Sequence, residues 1–178
     1  MWVFFFVLAA GLSPPVMPSS FVATFTTPAD PAVPDVGTWF YDFAAGLQRI
    51  DGGNQETCNR VSGSPLFCAT YLSSVSLLVV FPFERRCCKE SSPGLLRPDW
   101  LRHDNATYGG TQRVGTRLCD VWLAMGSTRN YWLQERSTGF PCLLDDGGYN
   151  FTFVSFQAVP VAAAVVTPPA YCANAPDC

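Results

Sequence analysis

The sequence predicts a mainly β protein built on antiparallel strands and stapled by disulfides, and three observations predict it. Short aromatic or apolar runs recur along the chain, bounded by turn residues such as glycine, proline and serine. No segment of about 12 or more residues carries the 3.6-residue apolar period of an amphipathic helix. The chain holds eight cysteines, an even number, with only 14% charged residues against 48% hydrophobic ones, a composition with ample apolar material for a core.

At 178 residues the chain has the size of one domain. Its N-terminus begins with an apolar stretch, Trp2 to Leu12, closed by Ser13-Pro14-Pro15. That stretch is too short for the roughly 20 residues of a membrane-spanning helix and has the make-up of a signal-peptide core, so residues 1–20 are expected to be an export signal cleaved between Gly11 and Ser20. No transmembrane segment is expected after cleavage, and the expected location is extracellular. Residues 21–36 form an extended lead rich in proline and threonine, in which Phe21 to Phe25 is either linker or a first edge strand and Pro28, Pro31 and Pro34 forbid a helix. A single β domain is expected over residues 37–172, with 173–178 as a C-terminal tail.

The expected strands follow in order. Thr38 to Phe43 is aromatic and lies between Gly37 and Gly46; Leu66 to Leu72 and Ser76 to Phe81 are compact apolar runs, the second continuous enough to be buried on both faces. Glu84 to Ser91, confined by Pro82 and Pro93, has room for one turn of helix. Tyr108-Gly109-Gly110 reads as a turn or bulge. In Thr116 to Leu123, Leu118 and Trp122 share one face, and Cys119, Val121 and Leu123 the other. Asn130 to Arg136 comes next. Asp145-Asp146-Gly147-Gly148 then turns the chain into Tyr149 to Phe156, where Tyr149, Phe151 and Phe153 oppose Asn150 and Thr152.

In an exported chain Cys58, Cys68, Cys87, Cys88, Cys119, Cys142, Cys172 and Cys178 are expected to form four bridges, among the roughly one hundred pairings that eight cysteines allow. Cys87 and Cys88 are expected to anchor their loop to two different strands rather than to each other. Asn105-Ala106-Thr107 and Asn150-Phe151-Thr152 are glycosylation acceptors. A glycan on Asn150 requires a wet face there, which turns Tyr149, Phe151 and Phe153 inward.

Several functions are excluded or disfavoured. A net charge of −3, with eleven Lys and Arg and no basic run longer than Arg85-Arg86, offers no footprint for nucleic acid. With a single histidine and no Cys-x-x-Cys pair, neither a metal site nor a cofactor is expected. Asp145-Asp146-Gly147-Gly148-Tyr149 lacks the alternating acids of a calcium loop and is expected to be a hairpin turn. His103 beside Asp104 is the one pairing that could serve a hydrolase, but no free cysteine nucleophile, Gly-x-Ser-x-Gly elbow or phosphate loop accompanies it, so the protein is expected not to be an enzyme. The aromatic surplus remains: such side chains either fill a core or line an enclosed apolar pocket.

One resemblance bears on that choice. Gly37-Thr38-Trp39-Phe40-Tyr41-Asp42-Phe43 with Arg49-Ile50, then Tyr108-Gly109-Gly110, Cys119-Asp120-Val121-Trp122, Tyr131-Trp132, Gly139-Phe140-Pro141 and Thr167-Pro168-Pro169-Ala170-Tyr171-Cys172 resembles, in that order, the ependymin-related secreted glycoproteins over about Gly37 to Cys172. The resemblance implies a strongly curved antiparallel sheet or pair of sheets, a half-barrel or sandwich similar to bacterial lipoprotein carriers, around a hydrophobic pocket that holds a lipid or fatty acid. It also implies disulfides and glycosylation, and leaves room for calcium sensitivity and a homodimer. The expected function is non-enzymatic binding of an apolar small molecule by Trp39, Tyr41, Phe43, Trp122, Trp132, Phe151 and Phe153. The alternatives are a structural or adhesive extracellular module without a ligand and, third, a hydrolase.

Overall fold

The computed structural model describes residues 12–28, 35–52, 55–63, 66–126 and 128–178. Most of the expected export signal, Trp2 to Gly11, and Ala29 to Pro34 of the expected lead lie outside the described residues. Eleven strands among the described residues form one antiparallel sheet: β1 (Ser20–Thr27), β2 (Asp35–Asp42), β3 (Leu47–Gly52), β4 (Ala69–Ser73), β5 (Ser76–Phe81), β6 (Arg86–Ser91), β7 (Thr107–Val114), β8 (Arg117–Met125), β9 (Arg129–Glu135), β10 (Pro141–Asp146) and β11 (Tyr149–Gln157). The helices are short: α1 (Gln55–Ser62), α2 (Trp100–His103) and α3 (Ala163–Val166).

The strand order is β6-β5-β4-β3-β2-β1-β11-β10-β9-β8-β7. The chain starts at the centre, meanders out to one edge, jumps to the opposite edge and meanders back, so the sheet stays open with β6 and β7 as its outer strands. The jump, residues 92–106, carries α2 over one face. On that face Tyr41 Oη donates to the Leu96 carbonyl at 2.5 Å, the Met17 amide donates to Pro98 at 2.9 Å, and the Trp100 and Trp132 rings meet edge-on at 6.4 Å. Phe21, Ala23 and Phe25 of β1, Trp39 and Tyr41 of β2, Trp122 of β8, Trp132 of β9, Leu144 of β10 and Phe153 of β11 join Trp100 and Leu101 in one buried cluster. A flat sheet would hold β2 and β8 roughly 24 Å apart, at ~4.8 Å per strand. Their packing in one cluster shows that the sheet bends around α2.

Three expectations change here. Phe21 to Phe25 is neither linker nor edge strand, because β1 is the central strand, paired with β2 and β11. Its alternation decides this: Phe21, Ala23 and Phe25 are buried while Ser20, Val22, Thr24 and Thr26 are half-buried on the other face, and the first proline, Pro28, falls just past its end. The folded unit therefore begins before residue 37. Glu84 to Ser91 holds no helical turn: residues 82–85 turn the chain and β6 pairs with β5 from Ser76↔Ser91 to Phe81↔Arg86.

The third concerns the C-terminus. Residues 173–178 are an integrated part of the fold, not a tail. Lys89 donates its amide to Pro176 at 2.7 Å and accepts from the Cys178 amide at 2.9 Å, forming a parallel bridge with Asp177 along the β6 edge. Adjacent residues of a strand point to opposite faces. Cys87 accordingly bonds Cys172 on one face and Cys88 bonds Cys178 from the other. The vicinal pair thus holds two points of the C-terminal segment rather than two strands. The remaining bridges are Cys58–Cys68, tying α1 to the start of β4, and Cys119–Cys142, joining β8 to β10. No described cysteine is free, a state that fits an oxidising compartment.

A candidate ligand pocket on the second face of the sheet

The aromatic residues expected to line a pocket belong to the α2-filled face. Trp39, Tyr41, Trp122, Trp132 and Phe153 are buried in the main cluster, Phe151 packs against it, and Phe43 sits in the turn after β2, 39% exposed. Burial and hydrogen bonds fix these rings. Trp39 Nε1 donates to Gln48 Oε1 at 3.3 Å and Trp132 Nε1 to Gln134 Oε1 at 2.9 Å. Tyr41 has its phenol pKa driven well above the ordinary range, first by burial and then by the charges of Asp42 and Asp99.

The opposite face is divided. Over β3 to β6 it is covered by the C-terminal segment: Ala69, Tyr71, Val80 and Cys87 pack on Cys172 and Ala175. Arg49 locks that cover in place. Its guanidinium lies over the rings of Phe40 and Tyr71, at 5.6 and 5.3 Å, forks Asp51 at 2.6 and 2.7 Å, and donates to the Val165 carbonyl at 3.1 Å.

Over β1 and β7 to β11 this face bears an open pocket of about 710 Å3. Register explains its lining. Val121, Leu133 and Leu143 stand directly opposite one another across β8, β9 and β10, and the same rung continues through Thr152 to Thr26. The next rung runs Tyr131, Asp145, Asn150. With Thr27, Pro28 and Gln112, these residues complete the lining. Beside the apolar stripe, on the same face, the Cys119–Cys142 bridge packs with Leu133 in a small buried cluster. None of the seven expected aromatic residues lines this pocket. The alternation predicted for β11 holds where it matters: Asn150 and Thr152 face the pocket, Phe151 and Phe153 the core, and Tyr149 ends the strand exposed.

The hairpin over Asp145 to Tyr149 has the expected chemistry. Gly147 and Gly148 take positive φ angles of 63° and 104°, as a tight hairpin turn requires, and Asp145 Oδ1 accepts the Gly148 amide at 2.7 Å. Asp145 forms no ion pair among the described residues. Its neighbour Asp146 is pushed above the usual carboxylate range by desolvation and by the Asp145 charge.

A second polar cluster lies on the core face near β7. Arg136 forks Asp120 at 2.8 and 2.7 Å while Tyr108 Oη donates to the same carboxylate at 3.1 Å. The hydrogen-bonded guanidinium holds Asp120 below the ordinary carboxylate range. Tyr108 is positioned by the bulge between Tyr108 and Thr111, where the sequence places Gly109 and Gly110. His103 is exposed at the end of α2 and shares no hydrogen bond or ion pair with Asp104 among the described residues. Asn105, the other glycosylation acceptor, is exposed in the turn that follows α2, with a left-handed φ of 51°. No helix among the described residues is long and apolar enough to cross a membrane, and no described group of three or more His, Cys, Asp or Glu side chains could hold a metal ion.

No family model and no curated protein matches the chain. Solved structures do. An uncharacterized conserved protein from Thermus thermophilus shares its fold with a TM-score of 0.57 at 10% identity, over 89% of this chain and 90% of that one. MucB in complex with MucA(peri) aligns with a TM-score of 0.44 at 14% identity, over 85% of this chain and 55% of that one. A Pseudomonas aeruginosa MucA/MucB complex gives 0.45 at 13%, over 85% and 56%. The chain thus spans about half the length of the MucB chains. At 10% identity the likeness to the Thermus thermophilus protein is one of fold.

Proposed function

We propose that this protein is a secreted, non-enzymatic binder that holds an apolar small molecule, such as a lipid, in the pocket over β1 and β7 to β11. The observation that carries the reading is the pocket itself: its volume of about 710 Å3 falls in the few-hundred to roughly 1,000 Å3 range of small-molecule sites. A cross-strand stripe of Val121, Leu133 and Leu143 supplies its apolar part. The ordered motifs shared with the ependymin-related glycoproteins support the same reading, and two of them have structural roles here. The arginine after the Tyr-Asp-Phe strand is Arg49, which locks the C-terminal cover, and the Cys-x-x-Trp strand sends Cys119 to the pocket side and Trp122 to the core.

Native mass spectrometry of the secreted protein, followed by organic extraction, tests the reading. A lipid-sized adduct that survives desolvation and appears in the extract is the expected result. A ligand-free protein that takes up no apolar fluorophore overturns it. Absence of turnover across a broad ester and glycoside panel is the expected result for a non-enzymatic protein.

One observation favours a second reading, an extracellular glycoprotein module without a ligand. Asn150 and Thr152, both in the acceptor triplet, line the pocket, so a glycan on Asn150 would stand over it. Glycopeptide mapping of Asn150 separates the two: full occupancy with no co-purifying lipid supports the module.

A further inference from the structure

We infer that the pocket selects amphiphiles with a cationic or neutral polar head over those ending in a carboxylate. This rests on the binding function proposed above and names the ligand class for the same site.

The pocket is polarised across the strands. Its central rung reads Val121, Leu133, Leu143, Thr152, Thr26 from β8 to β1, apolar for three strands and hydroxylated for two. Five strands span roughly 19 Å at ~4.8 Å per step, enough for a medium acyl chain lying perpendicular to the strands. A ligand with one apolar and one polar end therefore has a single favourable direction. Its tail covers Val121, Leu133 and Leu143, and its head falls at β10, β11 and β1 among Asp145, Asn150, Thr152 and Thr26. Reversal would strand the head on the aliphatic stripe, without hydrogen-bond partners.

The charge carried by the lining residues has one sign. Asp145 is the only ionisable carboxylate among the described lining residues, and no Lys or Arg is among them. Its Oδ1 is held by the Gly148 amide at 2.7 Å, and neither oxygen is engaged by a cation among the described residues. Arg129 projects from the same face of β9, but its guanidinium stacks over the Tyr131 ring at 5.0 Å and the residue is exposed at the strand's start. An ammonium head gains a charge-assisted hydrogen bond to Asp145. A hydroxyl head is served by Asn150, Thr152 and Thr26. A carboxylate head meets a like charge with no fully charged donor among the lining residues, the Arg129 guanidinium being turned onto the Tyr131 ring, which is discrimination by repulsion.

The test is displacement of the neutral fluorophore N-phenyl-1-naphthylamine from the full secreted protein by dodecylamine, dodecanol and dodecanoate. Dodecylamine is expected to compete roughly tenfold more strongly than dodecanoate, with dodecanol between them. Asp145→Asn keeps an oxygen for the Gly148 amide and so keeps the hairpin; it should bring amine and acid to within about twofold. Leu143→Ser should weaken all three alike. Dodecanoate binding as tightly as dodecylamine, or an amine preference that survives Asp145→Asn, overturns the head-group inference while leaving the binding function intact. A fluorophore that never enters the protein overturns both.

Discussion

The Phe25 ring occupies the space that a side chain at position 37 would need: a Cβ placed on Gly37 would stand 2.3 Å from Phe25 Cζ and 2.6 Å from Cε2. Phe25 and Gly37 are direct partners across β1 and β2, and Phe25 is fully buried. Gly37→Ala must push this ring into a filled core, at a cost of about 1–3 kcal/mol. The double variant with Phe25→Leu should recover part of the loss, since the two changes relieve one clash and are not additive. Thermal melts of the two single variants and the double variant check this.

Acid stability should carry the signature of Asp120. Its carboxylate is almost fully buried and held below the usual range, first by the Arg136 hydrogen bond. A depressed carboxyl binds its proton more weakly in the folded state than in the unfolded one, so its contribution is complete above the ordinary carboxylate pKa of about 4 and is lost as pH falls through the lower folded value. Because Arg136 is largely exposed, the contribution should be about 1–2 kcal/mol. Denaturant midpoints between about pH 5 and pH 2 should fall less steeply in Asp120→Asn than in the parent protein.

At alkaline pH Tyr41 should be the silent phenol. Burial raises its pKa and the Leu96 carbonyl accepts its proton. A raised folded pKa means that stability is intact below about pH 10, the unfolded value, and declines as pH rises beyond it. Burial also raises the Tyr71 phenol, so spectrophotometric titration should find a delayed fraction of tyrosines in the folded protein, and Tyr41→Phe should reduce that fraction by one tyrosine. The same variant should lose about 1 kcal/mol by leaving the Leu96 carbonyl without its donor.

The vicinal cysteines give a mapping prediction. Trypsin cleavage after Arg86 and Lys89 isolates the tripeptide Cys87-Cys88-Lys89. In unreduced digests it should be found linked twice to the C-terminal peptide through Cys172 and Cys178. Recovery of the tripeptide with an internal disulfide would contradict the structure. Replacing the Cys87–Cys172 pair with serines opens a separation of 85 residues and should lower stability by roughly 2–4 kcal/mol.

The strands whose order is carried by side-chain burial are plain in the sequence. β5 occupies the predicted Ser76 to Phe81, with Val79, Val80 and Phe81 buried on both faces, and in β8 Trp122 opposes Val121 as its alternation requires. β3, Leu-Gln-Arg-Ile-Asp-Gly, and β7, Thr-Tyr-Gly-Gly-Thr-Gln-Arg-Val, have no such pattern. They are held by ladder hydrogen bonds and by polar partners such as Asp51 and Asp120, a stabilisation that leaves little trace in local hydropathy. The pocket was displaced for a related reason. Alternation tells which residues share a face but not which face the chain later fills. A connection from β6 to β7 carries Trp100 and Leu101 over the aromatic side, and only the strand order, a non-local property, reveals that Val121, Leu143 and Asp145 are left partly open on the reverse.

The bridge between Lys89 and Asp177 has a consequence for self-association. An open sheet ordinarily has two rims of unpaired amides and carbonyls on which further copies can be templated. Here residues 176–178 occupy one rim at its midpoint, fastened by Cys178, and the other rim, β7, is interrupted by the Gly109-Gly110 bulge. Copies that met edge to edge would have one usable rim each. Pairing through β7 alone closes as a twofold dimer rather than extending into a fibre.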